Sequence, residues 1–301
     1  MALTLIEAAK LESGDVYKQG VIEQFAQSSE IMRVLPFENI SGNALKYNVE
    51  GALPGIGFRG VNGSFTESTG VLNPKTESLV IAGGDLDVDK FIVDTQGGAV
   101  RSTHEAMKIK ALALAWTKTF YKGDSEANPK EFDGLQKRIV GDQLIENHAT
   151  GAGLSLAKLD EMIDAVENPT HLTMSKAMRR ILTVAARTQA VGGNITYTKD
   201  EFGRQITMYN DLPIIIVGKD NVNSKILDFN EAGLTTSIYC LSLEPGRFEG
   251  IENGGIDVRD LGELESKSSF RTRVEWYNAF AIYDPMSVGR LSKITNAAAT
   301  A

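Results

Sequence analysis

A glycine-rich stretch of about 40 residues, Ala44 to Gly84, limits what this chain can fold into. It holds eight of the chain's 29 glycines, interleaved with Val, Phe, Thr and Leu, a pattern typical of an extended, turn-rich segment. Folded as a long two-stranded hairpin, the stretch would reach roughly 60 Å, at about 3.3 Å per residue along each arm. Such a hairpin is too thin to be stable alone, so we expect it to lie on something else.

The composition excludes several classes of protein. Lys and Arg total 31 against 39 Asp and Glu, and the net charge of −8 disfavours a dedicated nucleic-acid binder. The single cysteine, Cys240, can form neither an intramolecular disulfide nor a cysteine-based zinc site. A charge follows early, at Glu7, and no window has the 18 or so uncharged apolar residues of a membrane span. We therefore expect no signal peptide and no transmembrane helix.

Two segments flank the glycine-rich stretch. The first 34 residues are predicted to form a helical arm, because Thr4 and Glu7 have capping-box spacing and Val16 to Gln27 continues in helical period. After the stretch, Asp85 to Asp89 alternates strictly and leads into Phe91 to Val93, which predicts a strand returning to a core.

The strongest predicted helix runs from about Ala99 to Lys122, with Ser102 and Glu105 at capping-box spacing. Two apolar rows indicate that it is buried on two sides, and their members are Ile109, Ala113, Trp116 and Phe120, then Met107, Leu114 and Tyr121. A third side carries a cationic stripe made of Arg101, Lys108, Lys118 and Lys122. Such a stripe is either a solvated face or a surface for acidic partners, and the sequence leaves both open.

The rest of the chain alternates between helices and strands. We predict a helix over 156–166, a second around Met174 to Ala185, and a strand at Ile214 to Val217 after Pro213. The last strands are predicted at Thr235 to Leu243 and Phe270 to Tyr283. The middle block therefore resembles a second globular domain.

No motif gives a positive reason to propose an enzyme, a cofactor or a metal. Gly55 to Gly60 has the spacing of a dinucleotide-binding loop, but the residues that follow are poor helix starters, which favours a flexible loop tip. Asp85, Asp87 and Asp89 begin like a calcium loop, yet Lys90 stands where that loop requires glycine. The histidines and Cys240 have no local partner typical of a nucleophile pair.

The order of the parts resembles the major capsid protein of tailed bacteriophages, whose Hong Kong 97-like fold is shared with encapsulins. In this resemblance Ala44 to Gly84 is the extended loop and Ala99 to Lys122 the spine helix. Phe132 to Leu135 is similar to the short element after the spine, and Leu212 to Val217 to a strand of the axial domain. The closing strand corresponds to Arg271 to Ala281, followed by Arg290 to Ile294.

The resemblance implies an α+β fold with an N-terminal arm, an extended loop, a peripheral domain with the spine helix, and an axial α/β domain. Its expected bounds are the arm at 1–34, the peripheral domain at 35–43 and 85–140, the extended loop at 44–84, the axial domain at 141–255, and a return to the peripheral domain at 256–301. The expected assembly-interface residues of the loop are Gly55, Gly57, Phe58, Arg59 and Phe65.

The same resemblance implies a structural protein that assembles into hexamers and pentamers of an icosahedral virion shell around double-stranded DNA, formed in the host cytoplasm. Only about 44 residues precede the loop, so a separate scaffolding protein, or none, is expected, beside a portal and decoration proteins. Lys75 alone does not establish a covalent crosslink between subunits. The acidic balance suits a shell that does not bind DNA tightly.

Two alternatives remain open at this point. An encapsulin-type compartment has the same fold and holds protein cargo instead of DNA. A two-domain α/β enzyme could use the glycine-rich stretch as a lid, although that stretch contains no His, no Cys and no Tyr except Tyr47.

Overall fold

A computed structural model describes residues 3–4, 29–187, 195–199 and 205–300. The helices are α1 (Glu30–Val34), α2 (Lys90–Gln96), α3 (Ala99–Lys122), α4 (Leu135–Arg138), α5 (Leu156–Asp164) and α6 (Lys176–Ala186). The strands are β1 (Leu3–Thr4), β2 (Pro36–Asn39), β3 (Ala44–Ala52), β4 (Val71–Ser78), β5 (Val80–Asp89), β6 (Leu144–Glu146), β7 (His171–Ser175), β8 (Ile195–Lys199), β9 (Gln205–Tyr209), β10 (Leu212–Val217), β11 (Thr236–Leu241), β12 (Phe248–Glu263), β13 (Ser269–Ile282) and β14 (Val288–Ile294). The helices predicted for the arm after Thr4 lie outside the described residues.

The strands form three sheets, and the α+β class predicted from the sequence is confirmed. A five-stranded sheet has the order β1-β2-β12-β13-β5, and a seven-stranded sheet has the order β6-β14-β11-β7-β10-β9-β8. Among the described strands, β3 and β4 pair with each other and with no third strand. This third sheet is the hairpin predicted from the glycine-rich stretch.

The long helix α3 packs against the five-stranded sheet and has the predicted bounds. Its first apolar row is buried, and the Trp116 ring lies 5.7 Å from the Trp276 ring and 5.1 Å from the Phe120 ring. Trp116 Nε1 donates a hydrogen bond of 2.7 Å to the fully buried Asn278 side chain. An aromatic core, in which the Trp116 indole is hydrogen-bonded to the Asn278 side chain, therefore joins helix and sheet.

Two details predicted for α3 are wrong. The first is the capping box. The helix begins at Ala99, one turn before Ser102, and no side chain caps it at Gly98, so Ser102 and Glu105 form no capping box. Glu105 instead accepts a hydrogen bond of 2.7 Å from Thr272 on the sheet. In the second apolar row Tyr121 is buried, but Met107 is 62% exposed because the end of the helix that holds it is covered on one side only.

The strand predicted at Phe91 to Val93 is also wrong. Asp89 accepts a hydrogen bond of 2.8 Å from the Phe91 amide and caps α2, which ends at Gly97 with a positive φ of 82°. Capping by an aspartate satisfies an amide that the helix leaves free, and it outweighs the strand preference of the apolar residues.

The hairpin ends earlier than predicted. Val80 to Asp89 forms β5 and pairs with β13 over its whole length, from Asn278↔Val80 to Ser269↔Asp89. Gly83 and Gly84 therefore belong to the five-stranded sheet, and the hairpin closes at Ser78, beyond which the Leu79 amide donates to the Asn43 carbonyl at 2.9 Å.

The bounds expected for the second half of the chain need two changes. Phe248 to Glu263 forms β12, which pairs with β13, so 248–255 lies in the five-stranded sheet rather than in an axial domain. Val288 to Ile294 forms β14, which pairs with β11 and β6, so this segment lies in the seven-stranded sheet rather than with the peripheral elements.

The seven-stranded sheet encloses a second core with α5 and α6. Strand β10 runs parallel to β7 and antiparallel to β9, and Asn210 and Asp211 form the tight turn between β9 and β10 with φ of 46° and 63°. The buried apolar face of α6 contains Met178 and Leu182 as predicted, whereas Met174 lies in β7.

Two glycines fix the connection that follows α3. The Gly134 amide donates to the Gly123 carbonyl at 2.9 Å. A Cβ at Gly134 would lie 2.6 Å from the Thr119 carbonyl oxygen, and one at Gly123 would lie 2.2 Å from the Phe132 carbonyl oxygen. The close approach explains why the Phe132 to Leu135 element contains a glycine.

The buried Glu252 is expected to make subunit stability depend on pH. Burial raises the pKa of Glu252, although the Trp276 indole donates to its carboxylate at 2.7 Å. The folded state thus holds the proton more tightly than the unfolded state, so this contribution to stability is complete below the usual value of 4.5 and is lost as pH rises through the folded pKa. Glu252→Gln should remove that loss.

The measurement is the thermal midpoint of both proteins at pH 5 and pH 8. We expect Glu252→Gln to gain stability relative to the unsubstituted protein at pH 8, while the control Glu67→Gln in the exposed hairpin follows the unsubstituted protein. Parallel pH profiles for Glu252→Gln and the unsubstituted protein would contradict this role of burial.

Candidate assembly interface

The hairpin leaves the subunit along an antiparallel ladder that runs from Ala44↔Ser78 to Ala52↔Val71. The half of the hairpin nearest its base contacts the rest of the subunit. There Val49 is buried, and Leu45 packs against the core between α3 and the five-stranded sheet. Every residue from 50 to 72 is exposed. The segment 53–70, which joins the two strands, is called the hairpin tip below.

The hairpin tip carries large apolar side chains that no part of the subunit covers. Their exposed fractions run from 67% for Phe65 to complete exposure for Phe58, and the others are Leu53, Ile56 and Val61. A monomer gains nothing from such a cluster, because exposed apolar groups concentrated at one place favour association.

The structure brings most of the predicted loop residues together at this tip. The Arg59 guanidinium lies 5.2 Å from the centroid of the Phe65 ring and donates to the Gly63 carbonyl at 3.2 Å. The Gly63 amide closes a turn onto Gly60 at 3.1 Å. Gly55 binds the Ser68 hydroxyl across the tip, and a Cβ at Gly57 would meet nothing within 4 Å. These contacts link parts of the tip to one another, but the partner of the tip stays a prediction.

The cationic stripe of α3 is largely occupied within the subunit. Arg101 pairs with Asp260 at 2.6 Å and with Glu105 at 3.3 Å, and Lys118 pairs with the buried Asp220 at 3.2 Å. Burial lowers the pKa of Lys122, whose ammonium donates to Asn230 at 2.6 Å. Three of the four predicted cations therefore join α3 to other elements.

Lys108 differs from the other three cations. Its ammonium lies over Gly84, where an added Cβ would be 2.8 Å away, and no carboxylate in the described part of the chain pairs with it. Its role in contacts with DNA or an acidic neighbour remains a prediction.

Lys118→Glu should therefore damage the subunit itself. The substitution places a second carboxylate against Asp220, whose side chain is 3% exposed, and we expect a loss of about 1–3 kcal/mol in the free energy of unfolding. Denaturant unfolding of Lys118→Glu and of the control Lys108→Glu measures this. Equal stability of the two variants would show that the Asp220 pair contributes nothing.

One face of the five-stranded sheet carries an ionic ladder between β5 and β13. Arg273 donates to Asp85 at 2.7 and 2.9 Å, and Arg271 donates to Asp87 at 2.6 and 2.8 Å. These hydrogen bonds hold the pKa of both carboxyls below their usual value. The acidic alternation at 85–89 thus makes cross-strand pairs and a helix cap, and among the described residues no group of three or more His, Cys, Asp or Glu side chains is arranged to hold a metal.

An ion pair at the base of the hairpin was not predicted. Arg138, at the end of α4, donates to both carboxylate oxygens of Glu77 on β4, each at 2.8 Å. Its guanidinium also donates to the carbonyls of Phe280 at 3.1 Å and Asp133 at 2.7 Å, and lies 4.2 Å from the centroid of the Phe280 ring. The signal in the sequence is weak, because the two charged residues lie 61 positions apart.

The described residues offer no support for a catalytic lid. Four surface cavities that they form have volumes of 330–530 Å³, and no residue of the hairpin lines any of these four. Cys240 is buried, which raises the pKa of its thiol to about 12, and burial lowers the pKa of His171 to about 4. Both groups are therefore poorly suited to nucleophilic or acid–base chemistry at neutral pH.

Among the helices that the structure describes, none combines the length and the apolar character that a membrane span requires.

Comparison with known proteins identifies the fold. No protein-family model and no curated protein sequence matches the chain. The holo-SrpI encapsulin complex from Synechococcus elongatus PCC 7942 superposes with a TM-score of 0.63 and 16% identity over 100% of this chain and 99% of that chain.

Two other solved structures cover 89% of this chain and 90% of their own. One is from Microbacterium phage Oxtober96, with a TM-score of 0.64 and 12% identity. The other is the capsid of an empty GTA particle, with a TM-score of 0.62 and 13% identity. The chain has the Hong Kong 97-like fold of these shell subunits.

Proposed function

We propose that this chain is a major capsid protein, which assembles as hexamers and pentamers into the icosahedral shell of a tailed bacteriophage and encloses double-stranded DNA. One observation carries the proposal: the chain has the fold of shell subunits and extends a hairpin whose apolar tip side chains are exposed. In a symmetric shell, a second copy of the chain lies in a fixed position beside each subunit and can cover that tip. The role is structural, not enzymatic.

The physical basis is that the apolar tip side chains are exposed in a single copy and can be buried when many copies assemble. Burying a Leu, Ile or Phe side chain contributes about 1.5–3 kcal/mol relative to leaving it exposed. The tip offers several such side chains, so a neighbour that covers them gains a contact that repeats around every ring of the shell. Assembly in the host cytoplasm, with a separate scaffolding protein and a portal, belongs to the same proposal.

An encapsulin-type compartment is the second candidate, and the full-length superposition on the SrpI subunit favours it. The acidic balance of −8 favours the phage shell, since a wall that repels phosphates does not hinder DNA that is pumped in and later ejected. Both candidates share the same assembly step and differ only in content.

The experiment has two steps. Protein expressed from this sequence alone, or with a candidate scaffolding protein, is fractionated by sedimentation and imaged by negative-stain electron microscopy, and closed particles are expected. Particles from the native source are then treated with nuclease, and protected DNA is expected. Protein monomers at every concentration would refute the shell, and closed particles that protect protein but no DNA would assign the compartment.

A further inference from the structure

The base of the hairpin has a second polar contact beside the Arg138 pair. The Tyr47 hydroxyl on β3 donates to Glu77 Oε1 at 3.3 Å. Its ring meets the Tyr283 ring edge-on at 4.9 Å between centroids, and the Tyr283 hydroxyl donates to Glu38 at 2.8 Å. Both strands of the hairpin are thus tied to the body, one through Tyr47 and the other through Glu77.

These contacts fix direction as well as distance. A guanidinium that donates two parallel hydrogen bonds to one carboxylate allows little rotation of either group. The Arg138 side chain is 14% exposed and that of Glu77 is 18%, so water screens the pair weakly. The Tyr47 hydroxyl is protonated at neutral pH and can donate this hydrogen bond, and burial raises its pKa further, to about 12.

Beyond the base, every residue from 50 to 72 is exposed, so the described part of the subunit gives the hairpin no comparable contacts there. A two-stranded sheet is easily bent, and from Tyr47 to Ala52 strand β3 extends roughly 17 Å at about 3.3 Å per residue. A change of about 10° at the base would therefore displace the end of the ladder by about 3 Å and the tip beyond it by more, enough to move a side chain out of its pocket on a neighbour.

We propose that Arg138, Glu77 and Tyr47 form a clamp that sets the angle at which the hairpin leaves the subunit, and that this angle selects the neighbouring copy on which the tip can dock. The inference rests on the proposed function for its consequence in assembly. The clamp itself is a property of the single subunit and can be measured there. The three residues are positioning residues, because the contact with the neighbour is made by the tip.

The test measures the hairpin angle in separate subunits. Fluorescent dyes are attached to Ser64→Cys in the tip and Glu161→Cys on α5, while the buried Cys240 remains unlabelled because its thiol is inaccessible and its pKa is raised. Single-molecule energy transfer at picomolar concentration, where subunits do not associate, reports the distance distribution. Assembly yield is measured in parallel on unlabelled protein with Cys240 as its sole cysteine.

We expect one narrow distribution for the parent protein and for the control Lys75→Gln, which changes an exposed charge on the same strand. Glu77→Gln and Arg138→Met should broaden or shift the distribution and lower the yield of closed shells at least tenfold. In the double variant no charge is left unpaired at the base, so its thermal midpoint should recover toward the parent value while its distribution stays broad. Recovery of stability without recovery of angle separates positioning from simple stabilisation.

An unchanged distribution in Glu77→Gln and in the double variant would overturn the clamp, whatever happens to assembly. A changed distribution with normal shells would overturn the link between angle and docking. If Arg138→Met does not fold, the isosteric Glu77→Gln decides. Absence of shells from the parent protein refutes the proposed function alone, since the energy-transfer result is read without assembly.

Discussion

Subunits in which residues 53–70 are replaced by an Asn-Gly turn are expected to fold and to form no closed shells. The turn joins Ala52 to Val71, which already face each other at the end of the ladder, and Asn-Gly suits a two-residue hairpin turn. The deleted residues are all exposed, so the thermal midpoint should stay within about 2 °C of the parent value, since neither core is changed. The deletion removes the apolar side chains that are proposed to contact a neighbouring copy.

The bounds of this deletion follow from the structure. Replacing all of 51–83, as the glycine pattern alone would recommend, would also remove Val80 to Gly83 from the edge of the five-stranded sheet. That larger change would mix a folding defect with an assembly defect.

A variant with a Gly/Ser tip of the original length is the matched control for the deletion. It keeps the reach of the hairpin and removes the apolar groups, together with Arg59, Glu67 and the other polar side chains of the tip, so it should also fail to form shells. Sedimentation and electron microscopy measure the outcome. Closed particles of normal size from the Asn-Gly variant would refute the role of the tip.

Trp116→Ala is expected to cost about 3–5 kcal/mol in the free energy of unfolding and to lower the thermal midpoint by roughly 10 °C. Trp116 is 3% exposed and lies at the centre of an aromatic group that includes Phe37, Phe132 and Trp276. Truncation leaves a large cavity there. It also removes the indole that donates to Asn278, whose buried amide oxygen then lacks its donor.

Two controls define the origin of this effect. Met107→Ala changes an exposed side chain on the same helix and should shift the midpoint little. Trp116→Phe keeps most of the ring but loses the hydrogen bond to Asn278, so its cost should lie between the other two. Equal midpoints for Trp116→Ala and Met107→Ala would show that the helix presents a different face to the sheet.

The sequence predicted α3 well because one helix concentrates its evidence locally. Its apolar row repeats over three turns, and a glycine lies beyond each end. The start at Ala99 was predicted correctly, but the Ser102 and Glu105 spacing imitates a cap that the helix does not use, because the helix begins earlier, after two glycines. Local rules give an element and its face, and they are weaker on the contacts that cap its first turn.

Strand β12 shows where local rules fail. It contains Gly250, Gly254, Gly255 and Gly262, and its register with β13 shifts between Asn253 and Ile256 and again between Asp260 and Gly262. Such bulges break the alternation by which strands are predicted. The interface was predictable in part, since the apolar tip residues stand out in the sequence. The Glu77–Arg138 pair was not, because only the folded chain brings β4 and α4 together.

The position of β14 has a consequence for folding of the subunit during its synthesis. This strand lies between β6 and β11 in the seven-stranded sheet, yet it follows both of them in the chain and is made after them. Until it arrives, two strands from earlier in the chain have exposed edges, so a growing chain cannot complete the subunit. Chains terminated before Val288 therefore lack the strand that joins β6 to β11, and their seven-stranded sheet is incomplete.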